Sequence, residues 1–231
     1  MTDKLTFKGD RDSKTWYPVP IPILAEHLST LIKANEYFNI KQTNPLIRNI
    51  SYSLQYVEFL DQLLKDIKMS SSLETQNIKS FVICGASIIE ALFHYITVSN
   101  GHGKNTEWKS YKKFKSGEQY EIKGDKFRNE TEIFIKISPP ILMEMTFDQM
   151  CKKVESKKLL GDEKDLYKEI NGIRKLRNKV HIHGIENPQD TDWYNFNRQE
   201  LKLIKKVLHG ILISSQFASS SYIHRFDYLK L

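Results

Sequence analysis

One short stretch of the chain carries side chains that could act together on a phosphate ester. It runs from residue 173 to residue 184 and holds two arginines and two histidines, Arg174, Arg177, His181 and His183. Arginine presents a fork of N–H donors that matches phosphate oxygens, and histidine exchanges a proton near neutral pH. Nearby positive charge keeps an imidazole neutral, as a general base requires. These residue types indicate phosphate binding combined with acid–base catalysis.

The position of Arg177 on its predicted helix needs an explanation. The apolar residues around it form one stripe at helical spacing, and Arg177 falls inside that stripe. Arg174 and His181 lie along its edge, and Asn178 lies slightly farther out. An arginine cannot lose its proton, so a guanidinium in an apolar stripe must be paired or must face a polar site.

Two readings of this arrangement stay open. In the first, Arg177 binds a phosphate together with a histidine about one turn later. In the second, Arg177 pairs with Glu90 or Glu169, and the histidines interact favourably with the macrodipole at the helix C-terminus. His181 and His183 could also suggest a metal pair. No third ligand stands at a recognisable spacing, so we expect no metal site and no cofactor.

The elements that must position these residues are mainly helical. Residues 1–49 predict an N-terminal arm, with alternating prolines near residue 20 and a short helix from about Ile23 to Ala34. Residues 50–217 predict a helical domain that is interrupted at about 104–138 by a β insertion. Residues 218–231 predict a C-terminal tail whose aromatic residues favour docking on a surface, either of this protein or of a partner.

Apolar residues at three- and four-residue steps predict five helices in the helical domain. They cover Ile50–Ile67, Leu73–Ser99, Leu142–Leu160, Glu163 to about His181, and about Phe196 to Phe217. Ser71 and Glu74 have the spacing of a capping box, which would start the second of these helices. Gly85 in the middle of that helix allows a close helix neighbour.

The insertion has the period of β-strands. Ile133 and Ile135 alternate with charged and aromatic residues, as strand residues do. Turn signals at Ser116-Gly117 and Lys123-Gly124 divide the segment into three short strands, and Pro139-Pro140 breaks the backbone after them. The sequence therefore predicts a small antiparallel meander.

Aromatic residues and lysines are interleaved in the insertion. They are Trp108, Tyr111, Phe114 and Tyr120 beside Lys109, Lys112, Lys113 and Lys115. Rings can stack on bases while lysines hold phosphates, as in single-stranded nucleic-acid binding. Equally, aromatic residues can anchor a small sheet to helices. Both interpretations stay open.

The net charge of +7 over 231 residues is concentrated in two segments. Residues 104–138 hold nine Lys or Arg against six Asp or Glu. Residues 152–179, which include Lys175 and Lys179, hold ten against five. Such segments are typical of a surface that binds RNA or another polyanion, and also of ordinary solvated faces.

Composition excludes several classes of protein. Hydrophobic residues make up 40% of the chain and can fill a core, which excludes wholesale disorder. The longest apolar-rich stretch, Phe81 to Phe93, is shorter than the roughly 20 residues of a membrane-spanning helix. The N-terminus has no apolar signal segment, and neither Cys84 nor Cys151 belongs to a CxxC pair. We therefore expect a cytoplasmic protein with no disulfide framework and no membrane partner.

The string over residues 176–184 resembles the signature of HEPN domains. In that signature an arginine, commonly followed by a polar residue, precedes a histidine after four to six intervening residues. Arg177 and His183 have five residues between them, and Arg174 and His181 have six. Arg177 and His181 have three, although this pair has the most natural helical geometry. Which histidine is catalytic therefore stays open.

The resemblance covers about residues 50–217 and is closest to HEPN proteins of abortive-infection and toxin–antitoxin systems. Glu90 on the long helix resembles the polar residue that HEPN proteins often carry in an earlier core helix. The resemblance implies a HEPN-like helical bundle and a metal-independent endoribonuclease, usually a homodimer that brings two copies of the motif together.

In the implied mechanism, a histidine deprotonates a ribose 2′-OH, which attacks the adjacent phosphate, and Arg177 stabilises the phosphorane. The products are a 2′,3′-cyclic phosphate and a 5′-OH end. Arg174 and Asn178 support this site, and the implied partners are RNA and a cognate antitoxin or defence protein. The alternative is a non-catalytic HEPN-like module that binds RNA or a partner protein and regulates it.

Overall fold

The computed structural model describes residues 6–8, 18–179, 187–214, 216–217 and 223–231. Its helices are α1 (Ile21–Leu31), α2 (Ile40–Asp66), α3 (Ser71–Ser99), α4 (Phe147–Ser156), α5 (Lys164–Asn178), α6 (Asp192–Asn195), α7 (Arg198–Leu212) and a C-terminal 3-10 helix (Ile223–Leu229). Its strands are β1 (Thr6–Phe7), β2 (Ile67–Lys68), β3 (Asn105–Ile122) and β4 (Asp125–Leu142). The prediction of a mainly helical protein with antiparallel β-structure is confirmed.

The chain divides into two compact units. The helical unit comprises Met1–His102 and Met145–Leu231, and the hairpin unit comprises Gly103–Glu144. In the hairpin unit, β3 and β4 pair antiparallel over most of their length. In the helical unit, β1 and β2 form a short antiparallel pair.

α3 is the central helix of the helical unit, and it contacts α2, α4, α5, α6 and α7. Its buried apolar residues point to more than one side of the helix, and they include Ile78, Phe81, Val82, Ile88, Ile89, Leu92, Phe93 and Ile96. By length and composition α3 could cross a membrane, but 67% of its most apolar window is buried inside the protein. A helix that is apolar on most sides is the expected core of a layered helical unit.

The glycine in the middle of α3 marks its closest helix neighbour. A Cβ atom added at Gly85 would lie 2.8 Å from Cγ1 of Ile204 on α7. Ile204 is fully buried, so α7 can approach α3 this closely only where the side chain is missing. The predicted close helix neighbour at Gly85 is confirmed.

A buried ion pair joins α7 to α2. Lys205 Nζ lies 2.8 Å from Asp61 Oδ1, and both side chains are more than nine-tenths buried. Asp61 also contacts Lys65 one turn later on α2, at 2.7 Å. Removing one partner of such a pair leaves an uncompensated buried charge, so the pair fixes how the two helices pack.

Both terminal segments dock on this body where the structure describes them. Val19 donates its N–H to Glu58 Oε2 at 3.0 Å, and its carbonyl accepts from Gln55 Nε2 at 3.0 Å. At the other end, Phe226 and Leu229 of the 3-10 helix are buried, and this helix packs against α7. The described part of the C-terminal tail thus docks on the helical unit.

Two helices begin at caps that the sequence analysis did not identify. α2 starts at Ile40, well before the predicted Ile50, because Asn39 and Gln42 form a reciprocal capping box. α4 covers Phe147–Ser156, although the prediction was Leu142–Leu160. Its capping box is formed by Thr146 and Gln149.

Three other helix ends also differ from the prediction. The N-cap of α3 is Ser70, which makes no side-chain capping bond, so the predicted box at Ser71 and Glu74 is wrong. α5 ends at Asn178, before the predicted His181. α7 begins at Arg198 because Asn197 caps it, and it ends at Leu212 rather than Phe217.

The insertion contains two long strands, so the prediction of a three-stranded meander is wrong. Lys123 and Gly124 form the connecting loop, and both have positive φ (55° and 89°), as the tightest hairpin turns require. Gly117 lies instead within β3, where the pairing is irregular between Lys115 and Gln119. β4 continues past Pro139-Pro140 to Leu142, with a shift in register.

The close approach of α3 and α7 predicts opposite outcomes for two glycine substitutions. Gly85→Ala should lower the free energy of unfolding by about 1–2 kcal/mol, because overpacking against Ile204 outweighs the gain in helix propensity. Gly172→Ala on α5 should raise it by about 0.5–1 kcal/mol, since its Cβ would lie 3.5 Å from Leu203, an ordinary contact. Urea unfolding followed by far-ultraviolet circular dichroism measures both values. An equal effect of the two substitutions would contradict this packing.

Candidate functional site

The candidate site lies where α3, α4 and α5 pack together. α5 turns Ile170, Ile173 and Leu176 into the core. Arginines 174 and 177 lie on the flanks of this buried face and are half-buried. The apolar face of α5 thus holds its arginines against the acidic residues of the two neighbouring helices.

Arg177 contacts Glu90 of α3. Its Nη2 lies 3.3 Å from Glu90 Oε2, and the exposed fractions of the two side chains are 43% and 30%. This outcome corrects the expectation that the Arg177 guanidinium is buried, because the last turn of α5 leaves it at the surface. Glu169, the other acid considered for this role, instead binds Lys206 at 2.5 Å. Among the described residues, the remaining N–H donors of Arg177 have no partner.

Arg174 contacts Asp148 of α4, an acid that the sequence analysis did not single out. Its Nη1 donates to Asp148 Oδ1, and Lys152 binds the other carboxylate oxygen at 2.7 Å. The hydrogen bond from Lys152, followed by the charge and hydrogen bond of Arg174, lowers the pKa of Asp148. The buried Nε of Arg174 has no hydrogen-bond partner among the described residues.

Cys151 lies beside this group of charges. Burial raises the pKa of its thiol to about 12, and the negative charges of Asp148 and Glu90 act in the same direction, while Arg174 opposes them. The thiol therefore stays protonated at neutral pH and is no nucleophile there.

The two histidines of the motif, His181 and His183, lie outside the described residues. Asn178 is the last residue of α5 and is exposed. Lys179 is the C-cap residue of the helix, and the described residues resume at Asn187.

The lysines predicted to bind RNA have different surroundings. Lys175 is exposed, whereas Lys179 binds Asp190 at 2.8 Å and Asn195 at 3.2 Å.

In the hairpin unit, Lys109 is exposed. Lys113 pairs with Glu132 at 3.5 Å, and Lys115 pairs with Glu130 at 4.0 Å. Lys112 lies over the ring of Phe114, 4.8 Å from its centroid. Ion pairing thus neutralises part of the positive charge that the sequence shows.

The described residues include no group of three or more His, Cys, Asp or Glu side chains that could hold a metal ion. The group in this part of the chain that a ligand could contact is the half-exposed guanidinium of Arg177, which the Glu90 carboxylate contacts from α3. A guanidinium of this kind can donate to phosphate oxygens through N–H groups that have no partner in the described part of the chain. No protein-family model, curated protein or solved structure matches the chain.

The exposure of the Arg177–Glu90 pair predicts a small effect on stability. Arg177→Ala should lower the free energy of unfolding by less than about 1 kcal/mol, because solvent screens a half-exposed pair. Arg198→Ala is the matched control, since Arg198 pairs with Glu74 and has a similarly exposed side chain. Urea unfolding of both variants measures the effect. A loss of several kcal/mol for Arg177→Ala alone would show that this pair is a structural clamp.

The burial of Cys151 predicts slow alkylation. At pH 8 a thiol with a pKa of about 12 is ionised in roughly one molecule in ten thousand, and only the thiolate reacts. The native protein should therefore leave Cys151 unlabelled by iodoacetamide, while guanidinium-unfolded protein labels fully. Peptide mass spectrometry reads out the labelling, and fast native labelling at Cys151 would contradict the observed packing of α3, α4 and α5.

Proposed function

We propose that the protein is a metal-independent endoribonuclease of HEPN type that acts in the cytoplasm as a toxin or antiviral effector. It cleaves RNA through attack of a ribose 2′-OH and leaves 2′,3′-cyclic phosphate and 5′-OH ends. The proposal includes a HEPN-like arrangement of the helical unit. It rests on the resemblance of residues 176–184 together with one structural observation at Arg177.

That observation is the half-exposed guanidinium of Arg177 in the last turn of α5, directly before the histidine segment. Its contact with Glu90 at 3.3 Å, the one that the described part of the chain supplies, orients the side chain from one side. The other N–H donors have no partner among the described residues, and the proposal assigns them to phosphate oxygens. An arginine buried in a complete set of ion pairs could not play this part, because its donors would already be used.

Each residue of the motif has a role in the proposed reaction. His181 or His183 takes the proton of the 2′-OH, and the second histidine protonates the 5′-oxygen leaving group. Arg177 stabilises the negative charge that develops on the phosphorane oxygens. Asn178 and Arg174 support the site, and Arg174 does so from its contact with Asp148.

We further propose that two chains combine their motifs in one cleft, so that a homodimer is the active form. Phosphates flanking the scissile bond are held by lysines that lack an ion-pair partner among the described residues, above all Lys175. DNA, which has no 2′-OH, is bound but not cut.

One observation favours the alternative, a non-catalytic HEPN-like module that binds RNA or a partner protein such as an antitoxin. Both arginines of α5 contact an acid on a neighbouring helix, Arg174 on α4 and Arg177 on α3. A pair of such contacts ties three helices together and needs no catalysis. If the protein is an endoribonuclease, removal of the Arg177 side chain abolishes RNA cleavage. If it is a binding module, the same change affects only the binding of RNA or of the partner protein.

An RNA cleavage assay in EDTA distinguishes them. Wild-type protein should cut a labelled single-stranded RNA and leave cyclic phosphate ends. Arg177→Ala should lower the rate by roughly 10²–10³-fold, the usual cost of losing one donor to a developing oxyanion. The double variant His181→Ala/His183→Ala should lose roughly 10²–10⁴-fold, and Arg198→Ala should retain the wild-type rate.

A second substrate checks the chemistry. An RNA with a single 2′-deoxy nucleotide 5′ to a mapped cleavage site should resist cleavage at that site only, since the attacking oxygen is missing. Intact RNA after incubation with wild-type protein, together with salt-sensitive binding, would favour the non-catalytic module. Cleavage that survives in both motif variants would overturn the assignment of the site.

A further inference from the structure

His94 lies on the same face of α3 as Glu90, one turn farther along the helix. Residues four positions apart on a helix are neighbours, with about 5–6 Å between their Cβ atoms. Glu90 is the residue that contacts Arg177, so His94 lies next to the place where the end of α5 meets α3. The proposed reaction does not yet give this histidine a role.

The packing of His94 leaves its side toward Glu90 separate from its aromatic contact. The imidazole is half-buried and lies edge-on to the ring of Phe38, with the ring centroids 5.9 Å apart. Phe38 also contacts Tyr95, at 5.3 Å. Around the helix axis, at 3.6 residues per turn, His94 lies between Glu90 and Tyr95. Phe38 therefore packs on the side of the imidazole toward Tyr95, opposite the side toward Glu90 and Arg177.

The hydrogen bonding of His94 differs from that of its neighbour Tyr95, which is a packing residue. The Tyr95 hydroxyl donates to the Lys33 carbonyl at 3.2 Å and accepts from the Lys33 N–H at 3.0 Å. Neither ring nitrogen of His94 has a hydrogen-bond partner among the described residues, and neither belongs to the fully buried polar atoms that lack one. Nitrogens that are unbonded and reach solvent can bind a ligand.

The protonation state of His94 suits a hydrogen-bond donor. Burial lowers the pKa of the imidazole below its usual value, so the ring is neutral at neutral pH. A neutral imidazole carries one N–H donor and one acceptor nitrogen. Such a donor stabilises negative charge that develops in a reaction, and it adds no charge to the site beforehand.

We propose that His94 is a second hydrogen-bond donor to the scissile phosphate, acting beside Arg177. Arg177 approaches from α5 and His94 from α3, so the two can contact different oxygens of one phosphate. Arg177 also offsets the negative charge of Glu90 between them. His94 neither gains nor loses a proton in this role, and both proton transfers stay with the motif histidines. The inference rests on the proposed endoribonuclease function and adds to it a residue from outside the motif.

Three substitutions of His94 separate hydrogen bonding from packing. His94→Phe keeps a ring against Phe38 but has no N–H, His94→Gln keeps N–H donors but has no ring, and His94→Ala has neither. If the N–H contacts the phosphate, His94→Phe and His94→Ala should lower the rate of RNA cleavage by roughly 10²–10³-fold, whereas His94→Gln should stay within about tenfold of the wild type. The free energy of unfolding should follow the other order, with His94→Phe the most stable of the three.

His209 provides a matched control. It is also half-buried, and burial also lowers the pKa of its imidazole. It lies on α7, which packs against the C-terminal 3-10 helix, and His209→Phe should therefore leave the rate unchanged.

Two results of the cleavage assay would overturn the donor role. A wild-type rate in His94→Phe would show that the ring acts through packing alone. An equal loss in His94→Gln and His94→Phe would show that a donor does not replace the imidazole, as expected of a proton-transfer group.

Binding of an oligonucleotide that cannot be cut separates this inference from the proposed function. A short, fluorescently labelled 2′-deoxy oligomer keeps the phosphates and lacks the attacking hydroxyl. In fluorescence anisotropy at low salt, His94→Phe and Arg177→Ala should each weaken its binding about tenfold. The double variant should lose less than the product of the two effects, because both donors contact one phosphate.

The two assays together give distinct outcomes. If the protein binds the oligomer through His94 and Arg177 but leaves RNA intact, the phosphate site is correct and the endoribonuclease proposal is wrong. If the protein cleaves RNA and the His94 variants match the wild type in both assays, the endoribonuclease proposal holds and the role of His94 is wrong.

Discussion

The burial of α3 is the constraint on which the helical unit depends. An apolar helix with core residues on several sides must be surrounded, because each large side chain left in water forfeits roughly 1.5–3 kcal/mol of burial. Five other helices of the described chain contact α3, so their positions follow from its surface. Glu90 lies on the same helix, and the partner of Arg177 therefore has a position fixed by the core rather than by a loop.

Several arginines and lysines of this chain lie beside carboxylates, which changes how strongly they attract an anion. A carboxylate beside an arginine holds the guanidinium in place and also weakens its attraction for a distant anion. At Arg177 the residues that the structure describes supply one contact, with Glu90, and at short range the geometry of the guanidinium counts more than net charge in binding a ligand. In the hairpin unit Lys113 and Lys115 lie side by side on one face, each beside a glutamate of the neighbouring strand. The net charge of +7 is thus a poor guide to where a polyanion would bind.

Local patterns predicted the parts of the structure that local forces decide. The apolar period of α3 could be predicted because it depends on residues a few positions apart. Gly85 within that period predicted a close helix neighbour, but only the fold shows that this neighbour is α7. The strand count was wrong because Ser116-Gly117 and Lys123-Gly124 are equally good turn signals, and only pairing across the strands selects one of them. Asp148 could not be identified as the partner of Arg174, since 26 residues separate them and only the packing of α4 on α5 brings them together. The exposure of Arg177 depends on where α5 ends, which is the least predictable feature of a helix.

The pairing at the base of the hairpin has a consequence for how the helical unit assembles. Asn105 pairs with Leu142, and the Met143 N–H donates to the Lys104 carbonyl at 2.8 Å. The chain leaving α3 and the chain entering α4 are therefore already side by side once the hairpin has formed. Closing a flexible loop of about 40 residues would cost roughly 3 kcal/mol of chain entropy. Because hairpins form within microseconds from local contacts, the insertion shortens the effective search between α3 and the helices that complete its core.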